Sequence, residues 1–263
     1  MPQADLGDIS LHYKRRGEGP PVLGVMGFAL DQRFWGSAIP AVIPTHEFIT
    51  FDNRGVGRST GAIPSTFDEM ANDAVRLLDH LEIEKTVVFG VSMGGAVAQR
   101  IALDHPERVS ALILGITFGR PLEFMRRQHE VARQLIEGVG QEALTQASLL
   151  RMFTPPFFEA AKDSMDQLVE AFMQEEAPPG PEVLIAQLHA LDKHDALEDL
   201  KGVDVPALVF GAKMDQMVPG FASIELAEAL PNSRLVMFDT GHGCMIEEMD
   251  AVNGAVSEFL ASL

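Results

Sequence analysis

A serine set among glycines directly follows the most strongly β-forming run of the chain. Residues 85–91 read KTVVFGV, and the next four residues read SMGG. The β-branched and aromatic residues of this run are typical of a strand buried on both faces, and a helical pattern follows over residues 96–103. Glycines two positions before and two positions after Ser92 allow a sharp strand-to-helix turn without Cβ clashes. The G-x-S-x-G pattern in this context predicts a serine nucleophile; the alternative is a glycine-rich turn that binds phosphate.

Much of the remaining chain alternates short apolar runs with amphipathic stretches. This is the pattern of a mostly parallel sheet covered by helices, so the predicted fold class is α/β. Residues 68–81 carry apolar side chains at helical spacing and predict one of these helices. The predicted strands are residues 9–13, 21–26, 48–51, 85–91, 109–114, 207–210 and 234–238, and residues 245–263 are predicted to form the closing helix.

Residues 118–200 interrupt this alternation. They show helical periodicities but no convincing strand, and Pro155-Pro156 and the PPGP segment 178–181 predict breaks between helices. We therefore expect an α/β core formed by residues 1–117 and 201–263, with residues 118–200 inserted as a helical cap that lies on the sheet.

A base and an acid for Ser92 follow two other predicted strands. A serine nucleophile needs a general base, and the base needs an anion that holds its tautomer. Asp215 follows the predicted strand 207–210, and His242 follows the predicted strand 234–238. Because the carboxyl ends of parallel strands meet at one edge of a sheet, the three side chains are expected to converge there.

Four blocks carry a resemblance that covers nearly the whole chain. They are residues 26–35, which begin Met-Gly-Phe and end at a tryptophan, residues 52–59 (DNRGVGRS), the turn at Ser92, and the loops of Asp215 and His242. With these blocks, in the order Ser, Asp, His, the chain resembles the α/β-hydrolase fold family. In style it is similar to the capped serine esterase, enol-lactonase and cofactor-free perhydrolase branch. The resemblance implies an eight-stranded, mostly parallel sheet flanked by helices.

The resemblance also implies roles for single residues. Ser92 would be the nucleophile, His242 the general base and then acid, and Asp215 the carboxylate that orients the histidine. The backbone N–H groups of Phe28 and Met93 would form the oxyanion hole, and the side chains of both residues would line the pocket.

One position departs from the family pattern. Many members carry a histidine before the glycine of the first block, where this chain has Met26. A methionine cannot make the histidine's hydrogen bonds that help to brace the oxyanion loop.

Three other patterns are interpreted as structural. Residues 52–59 lack the third glycine of a G-x-G-x-x-G nucleotide motif, because Thr60 occupies its place, and predict a turn. His189 and His194 lie five positions apart, off the spacing that sets two metal ligands on one helical face. Cys244 has no strand-to-helix turn around it and is assigned to packing.

Charge and cysteine content limit the expected partners and compartment. With 20 Lys and Arg against 38 Asp and Glu, the formal charge is −18, so neither nucleic acid nor an anionic membrane is expected as a partner. No run approaches the roughly 20 apolar residues of a membrane span. A single cysteine excludes an intramolecular disulfide, and the start shows no signal-peptide pattern, so a reducing, cytoplasmic location is expected.

The predicted activity is hydrolysis of carboxylic esters of small, largely apolar substrates through an acyl-enzyme, without a metal or an organic cofactor. The expected partner is therefore a small-molecule ester or lactone. A lactonase or enol-lactonase, or a perhydrolase, would use the same three residues. A ligand receptor built on the same scaffold is a further alternative, distinguished by the absence of turnover.

Overall fold

The structure is a computed structural model and describes residues 2–64, 66–173 and 178–263. Within these ranges, eight strands form one sheet in the order β1-β2-β4-β3-β5-β6-β7-β8. β2 pairs antiparallel with β1 and β4, and all other pairs are parallel. The strands are β1 (Gln3–Asp5), β2 (Ser10–Arg16), β3 (Pro21–Val25), β4 (Glu47–Phe51), β5 (Thr86–Val91), β6 (Val109–Gly115), β7 (Ala207–Ala212) and β8 (Ser233–Phe238). The predicted α/β class with a mostly parallel, eight-stranded sheet is confirmed.

Helices cover both faces of the sheet because neighbouring residues of a central strand point to opposite sides. On β5, for example, Val88 belongs to the core beneath α2 and α3, whereas Phe89 belongs to the core beneath α1 and α11. The helices are α1 (Ile39–Val42), α2 (Phe67–His80), α3 (Met93–Asp104), α4 (Glu123–Gly138), α5 (Gln141–Met152), α6 (Pro155–Ala160), α7 (Met165–Met173), α8 (Pro181–Lys193), α9 (Gly220–Ala229), α10 (Cys244–Glu247) and α11 (Met249–Leu260).

The chain between β6 and β7 holds α4 to α8, which we call the cap helices. In the described part of this segment the structure has no strand. Pro155 begins α6 and Pro181 begins α8, so both proline breaks expected from the sequence coincide with helix starts. A proline is tolerated in the first turn because its missing N–H would have no intrahelical partner there. Among the cap helices, α4 packs against α5 and α8, and α5 packs against α7.

The prediction of one closing helix over residues 245–263 is wrong in its extent. Glu248 has φ −131° and ψ 51°, outside the helical region, and separates α10 from α11. α11 ends at Leu260. The side chain of Glu247 accepts hydrogen bonds from the N–H and the hydroxyl of Thr154, 93 positions away, tertiary contacts that no helical periodicity could indicate.

β1 and α9 are among the elements that the sequence pattern did not predict. β1 is only three residues long and pairs with β2 at the antiparallel edge of the sheet. α9 reads GFASIELAEA and mixes apolar residues around its circumference, so no stripe marks it as amphipathic. Among the described residues, no helix has the length and apolar character needed to cross a membrane.

Candidate active site

Ser92 lies on the tight turn between β5 and α3. Its φ of 53° and ψ of −122° are a backbone conformation that non-glycine residues rarely adopt. Glycine at two neighbouring positions makes the turn possible. A Cβ on Gly90 would lie 2.3 Å from the carbonyl oxygen of Gly94, and a Cβ on Gly94 would lie 2.0 Å from the carbonyl oxygen of Val25. The turn therefore depends on both glycines for its close backbone contacts.

The structure brings the three predicted side chains together at the carboxyl edge of the sheet. His242 Nε2 lies 3.1 Å from Ser92 Oγ, and His242 Nδ1 lies 2.7 Å from Asp215 Oδ2. The Asp215 side chain is fully buried, and its Oδ1 accepts hydrogen bonds from the N–H groups of Met217 at 2.7 Å and Val218 at 2.8 Å. With Nδ1–H donating to the carboxylate, Nε2 is left as an acceptor for the serine proton. This arrangement can activate Ser92 as a nucleophile.

Residues 26–31, which follow β3 and which we call the oxyanion loop, lie directly against Ser92. A Cβ on Gly27 would lie 3.8 Å from Ser92 Oγ. Within the described residues, the N–H of Phe28 has no backbone or side-chain acceptor. Met93 is the first residue of α3, where a backbone N–H has no intrahelical acceptor. Within the described residues, both N–H groups are therefore left without a protein acceptor.

The side chains of Phe28 and Met93 lie in different surroundings. Phe28 lines the cavity above Ser92, as expected. The expectation that Met93 also lines it is wrong, because Met93 is fully buried in the core between the sheet and its helices. Met93 therefore has only its backbone to offer the site.

Two polar side chains brace the oxyanion loop, which has Met26 where a histidine is common. Asn53 Nδ2 donates to the carbonyl oxygen of Met26 at 3.1 Å. The N–H of Ala29 donates to Gln187 Oε1 at 3.0 Å, and Ala29 has a φ of 64°. Gln187 is fully buried on α8. Sequence reasoning missed Gln187; the one available signal was an amide within the otherwise apolar stretch VLIAQL of α8.

The turn at residues 52–59 joins the oxyanion loop to the sheet. The Asp52 carboxylate accepts from the N–H groups of Gln32 at 2.9 Å and Arg58 at 3.0 Å, and it lies 2.8 Å from His12 Nδ1. Asp52 thus connects three segments of the chain through one buried carboxylate.

An apolar cavity opens over Ser92 and His242, between the oxyanion loop and the cap helices. Its walls are mainly aliphatic and aromatic, and include Leu30, Phe34, Leu144, Leu149, Met152 and Phe172. The ring centroids of Phe34 and Phe172 are 4.7 Å apart, so α7 directly contacts the segment that follows the oxyanion loop. Such a cavity suits the apolar part of a small substrate.

Trp35, Cys244 and His194, also noted in the sequence, do not line the cavity over Ser92. Trp35 is fully buried, edge-on to Phe48 and Phe89. Cys244 is buried, and burial raises the pKa of its thiol, which disfavours the nucleophilic thiolate. His194 Nε2 lies 2.9 Å from Gln99 Oε1. In the part of the chain that the structure describes, no three His, Cys, Asp or Glu residues are grouped as metal ligands.

Comparison with known proteins identifies the fold family of this chain. A sequence model described as the alpha/beta hydrolase fold matches residues 20–248. RutD of Azorhizobium caulinodans, named as a carbamate hydrolase, is 34% identical to this chain over 242 residues. The match covers 92% of this chain and 91% of RutD. The crystal structure of the enol-lactonase from Burkholderia xenovorans LB400 has a TM-score of 0.91 at 26% identity, covering 99% of this chain and 100% of that one.

A third similar protein bears another name. The crystal structure of BpoC from Mycobacterium tuberculosis H37Rv, named as a non-heme bromoperoxidase, has a TM-score of 0.87 at 30% identity and covers 96% of both chains. The family model spans most of the chain, and these likenesses extend over nearly its whole length. The chain therefore belongs to the α/β-hydrolase fold family.

Proposed function

We propose that this protein is a serine hydrolase that cleaves carboxylic esters of small, largely apolar substrates through an acyl-enzyme. The observation that carries the proposal is the placement of His242, 3.1 Å from Ser92 Oγ and 2.7 Å from Asp215 Oδ2, beneath an apolar cavity. Nucleophile, base and orienting anion thus stand in the contact order that acyl transfer needs.

In the proposed acylation step, Ser92 Oγ attacks the ester carbonyl carbon while His242 Nε2 takes the hydroxyl proton. The N–H groups of Phe28 and Met93 donate to the oxyanion that forms on the carbonyl oxygen. When the tetrahedral intermediate collapses, His242 returns the proton to the leaving alkoxide, and the acyl group stays on Ser92.

Deacylation repeats these steps with water as the nucleophile. His242 deprotonates the water, and the intermediate then releases the acid and restores the Ser92 hydroxyl. Asp215 stabilises the imidazolium in both half-reactions. The N–H groups of Met217 and Val218 donate to its other oxygen and hold the carboxylate in place.

We also propose that residues 118–200 act as a cap, with residues 1–117 and 201–263 as the catalytic core. The apolar walls of the cavity support this division. Leu144, Leu149 and Met152 come from α5 and Phe172 comes from α7, whereas Ser92 and His242 come from the core. Substrate would bind between the two parts and be shielded from water there.

Lactone hydrolysis is the second candidate. It is favoured by the likeness to the enol-lactonase of Burkholderia xenovorans, because a lactone is a cyclic ester and opens on the same serine. The leaving alkoxide then stays attached to the acyl group, so no alcohol departs before deacylation.

Replacement of Ser92 tests the proposal. The substrates are nitrophenyl esters from acetyl to long acyl chains, several γ- and δ-lactones, and a phenyl carbamate. We expect Ser92→Ala to lose at least about a thousandfold in kcat on every substrate that the wild type turns over. Ser110→Ala, on an exposed β6 residue, is the matched control and is expected to keep wild-type rates.

The proposal is wrong if folded Ser92→Ala, with an unchanged circular dichroism spectrum, keeps near wild-type activity. Inertness of the wild type on the whole panel would also contradict ester hydrolysis and would favour a receptor. The preferred ring or chain length separates the lactone candidate from the open-chain ester candidate.

A further inference from the structure

A second cavity branches from the apolar one and leads to polar side chains of the cap. The two cavities share Phe28, Ser92, Leu144, Ser148 and Met217. Beyond these shared residues, the second cavity continues between α4, α5 and α8 and is also lined by Gln128, His129 and Arg151. The nucleophile therefore lies where an apolar arm and a polar arm meet.

Arg151 carries a positive charge in the polar arm that no carboxylate of the described residues neutralises. Its Nε donates to the carbonyl oxygen of Ala147 at 3.2 Å, and its Nη1 donates to Gln128 Oε1. Over residues 2–64, 66–173 and 178–263, no carboxylate forms an ion pair with Arg151, and its Nη2 has no hydrogen-bond partner. Burial lowers the pKa of Arg151, yet a guanidinium remains protonated at neutral pH.

Two other basic groups near Arg151, Arg133 and His129, both contact the carboxylate of Asp192. Arg133 Nη1 lies 2.8 Å from one oxygen of Asp192, and His129 Nδ1 lies 2.6 Å from the other. Burial is the main cause that lowers the pKa of His129. The hydrogen bond and charge of Asp192 act in the opposite direction, and the charges of Arg133 and Arg151 lower the pKa further. Among the residues that the structure describes, no carboxylate therefore compensates the positive charge of Arg151 in this arm.

The position of Arg151 is held from two sides. Gln128 accepts from Nη1 and donates through its own Nε2 to the carbonyl oxygen of Met217 at 3.3 Å, two residues after Asp215. A half-buried guanidinium held in this way, with one donor edge open to a cavity, is suited to a planar anion. A chain with a formal charge of −18 otherwise repels anions.

We propose that Arg151 binds a free carboxylate of the substrate, so that the preferred substrates are esters or lactones that also carry a carboxylate. The inference rests on the proposed function, since it places this carboxylate relative to the bond attacked by Ser92. The apolar arm receives the hydrocarbon end of the substrate, and the polar arm receives its anionic end.

The test compares each acid with its primary amide, which has the same shape and no charge. One series holds butyl hemiesters of glutaric to suberic acid, and the other holds butanoyloxy-substituted carboxylic acids of matching lengths. At the best length in at least one series, we expect the wild type to prefer the acid over its amide by about 10-fold to 100-fold in kcat/KM, the range of a charge-assisted hydrogen-bonded pair. Arg151→Met is expected to abolish this preference, and Arg151→Lys to retain part of it.

Arg127→Met is the matched control. Arg127 is an exposed cap arginine that pairs with Glu123 and Glu130, so its loss changes the net charge equally and is expected to leave the acid-to-amide ratio unchanged. An equal ratio in wild type and Arg151→Met at every length overturns the proposal. A uniform loss on acids and amides together also overturns it, because that result assigns Arg151 a structural role alone.

Calorimetric titration of hexanoate and hexanamide separates this inference from the proposed hydrolase. Binding of hexanoate that is lost in Arg151→Met supports the carboxylate site even if no ester is turned over. A different result would overturn the carboxylate site alone. In that case Ser92 is needed for turnover of neutral nitrophenyl esters, which supports the hydrolase, but Arg151→Met does not change the relative binding of hexanoate and hexanamide.

Discussion

At the scale of single residues, two positions next to the reacting atoms hold a backbone that non-glycine residues rarely adopt. Ser92 has φ 53° and Ala29 has φ 64°. Such conformations cost of order 1–3 kcal/mol each and persist where surrounding contacts enforce them. The glycines around Ser92 predict its turn from the sequence. No such local pattern predicts the conformation of Ala29, whose N–H donates a hydrogen bond to Gln187, 158 positions away.

We expect Gln187→Met to lower kcat by about 10-fold to 100-fold with a smaller change in KM, because the oxyanion loop loses its acceptor and its donors misalign. Gln187→Glu keeps an acceptor oxygen of the same reach and is expected to retain more activity. Steady-state kinetics on a neutral nitrophenyl ester measure both variants. A rise in KM at unchanged kcat would instead assign Gln187 to substrate binding.

At the scale of elements, the loop that carries His242 is tied to the cap by α10. Glu247 Oε1 accepts from the N–H of Gly241 at 3.1 Å and from the N–H of Thr154 at 3.1 Å, and its Oε2 accepts from the hydroxyl of Thr154 at 2.7 Å. The N–H of Gly243 donates to the carbonyl oxygen of Met152 at 2.8 Å. The residues on both sides of His242 are thus held by the junction between α5 and α6.

We expect Glu247→Ala to destabilise the fold by about 3 kcal/mol, since it leaves three donors without their acceptor. kcat should fall as well, because the His242 loop is no longer fixed against the cap. Urea unfolding and kinetics measure the two effects. The control is Glu248→Ala, which removes an exposed carboxylate one position later. It should change the free energy of unfolding by less than about 0.5 kcal/mol. Equal effects of the two substitutions would refute the role of Glu247 in holding the His242 loop.

At the scale of the whole molecule, Gln99 of α3 contacts the chain on both sides of the α4 to α8 segment. Gln99 of α3 donates through Nε2 to the carbonyl oxygen of Phe118 at 3.0 Å, and its Oε1 lies 2.9 Å from His194 Nε2. Phe118 precedes the cap helices and His194 follows them. Burial, followed by the nearby charge of Arg100, lowers the pKa of His194 to about 4.

This shift predicts an acid-sensitive fold. The unfolded chain protonates His194 near pH 6.5, but the folded protein does so only near pH 4. Stability is therefore fully present above about pH 6.5 and is lost as the pH falls toward 4, by up to about 3 kcal/mol from this residue. Urea unfolding at several pH values, compared with His194→Gln, isolates this contribution from the other groups. A wild-type minus variant difference that stays constant between neutral pH and pH 4 would contradict the prediction.

The sequence by itself determined the α/β class, most strands, and the strand ends where Ser92, Asp215 and His242 lie. These features depend on short-range physics, namely the period of apolar residues and the steric freedom of glycine next to a turn. Only the tertiary structure decided that Met93 is buried and that the last helix breaks at Glu248. It also decided that Gln187 braces the oxyanion loop, and that Arg151 lines the same cavity as Ser92. Each of these depends on which distant segments pack together, and a local pattern carries no information about a neighbour many residues away along the chain.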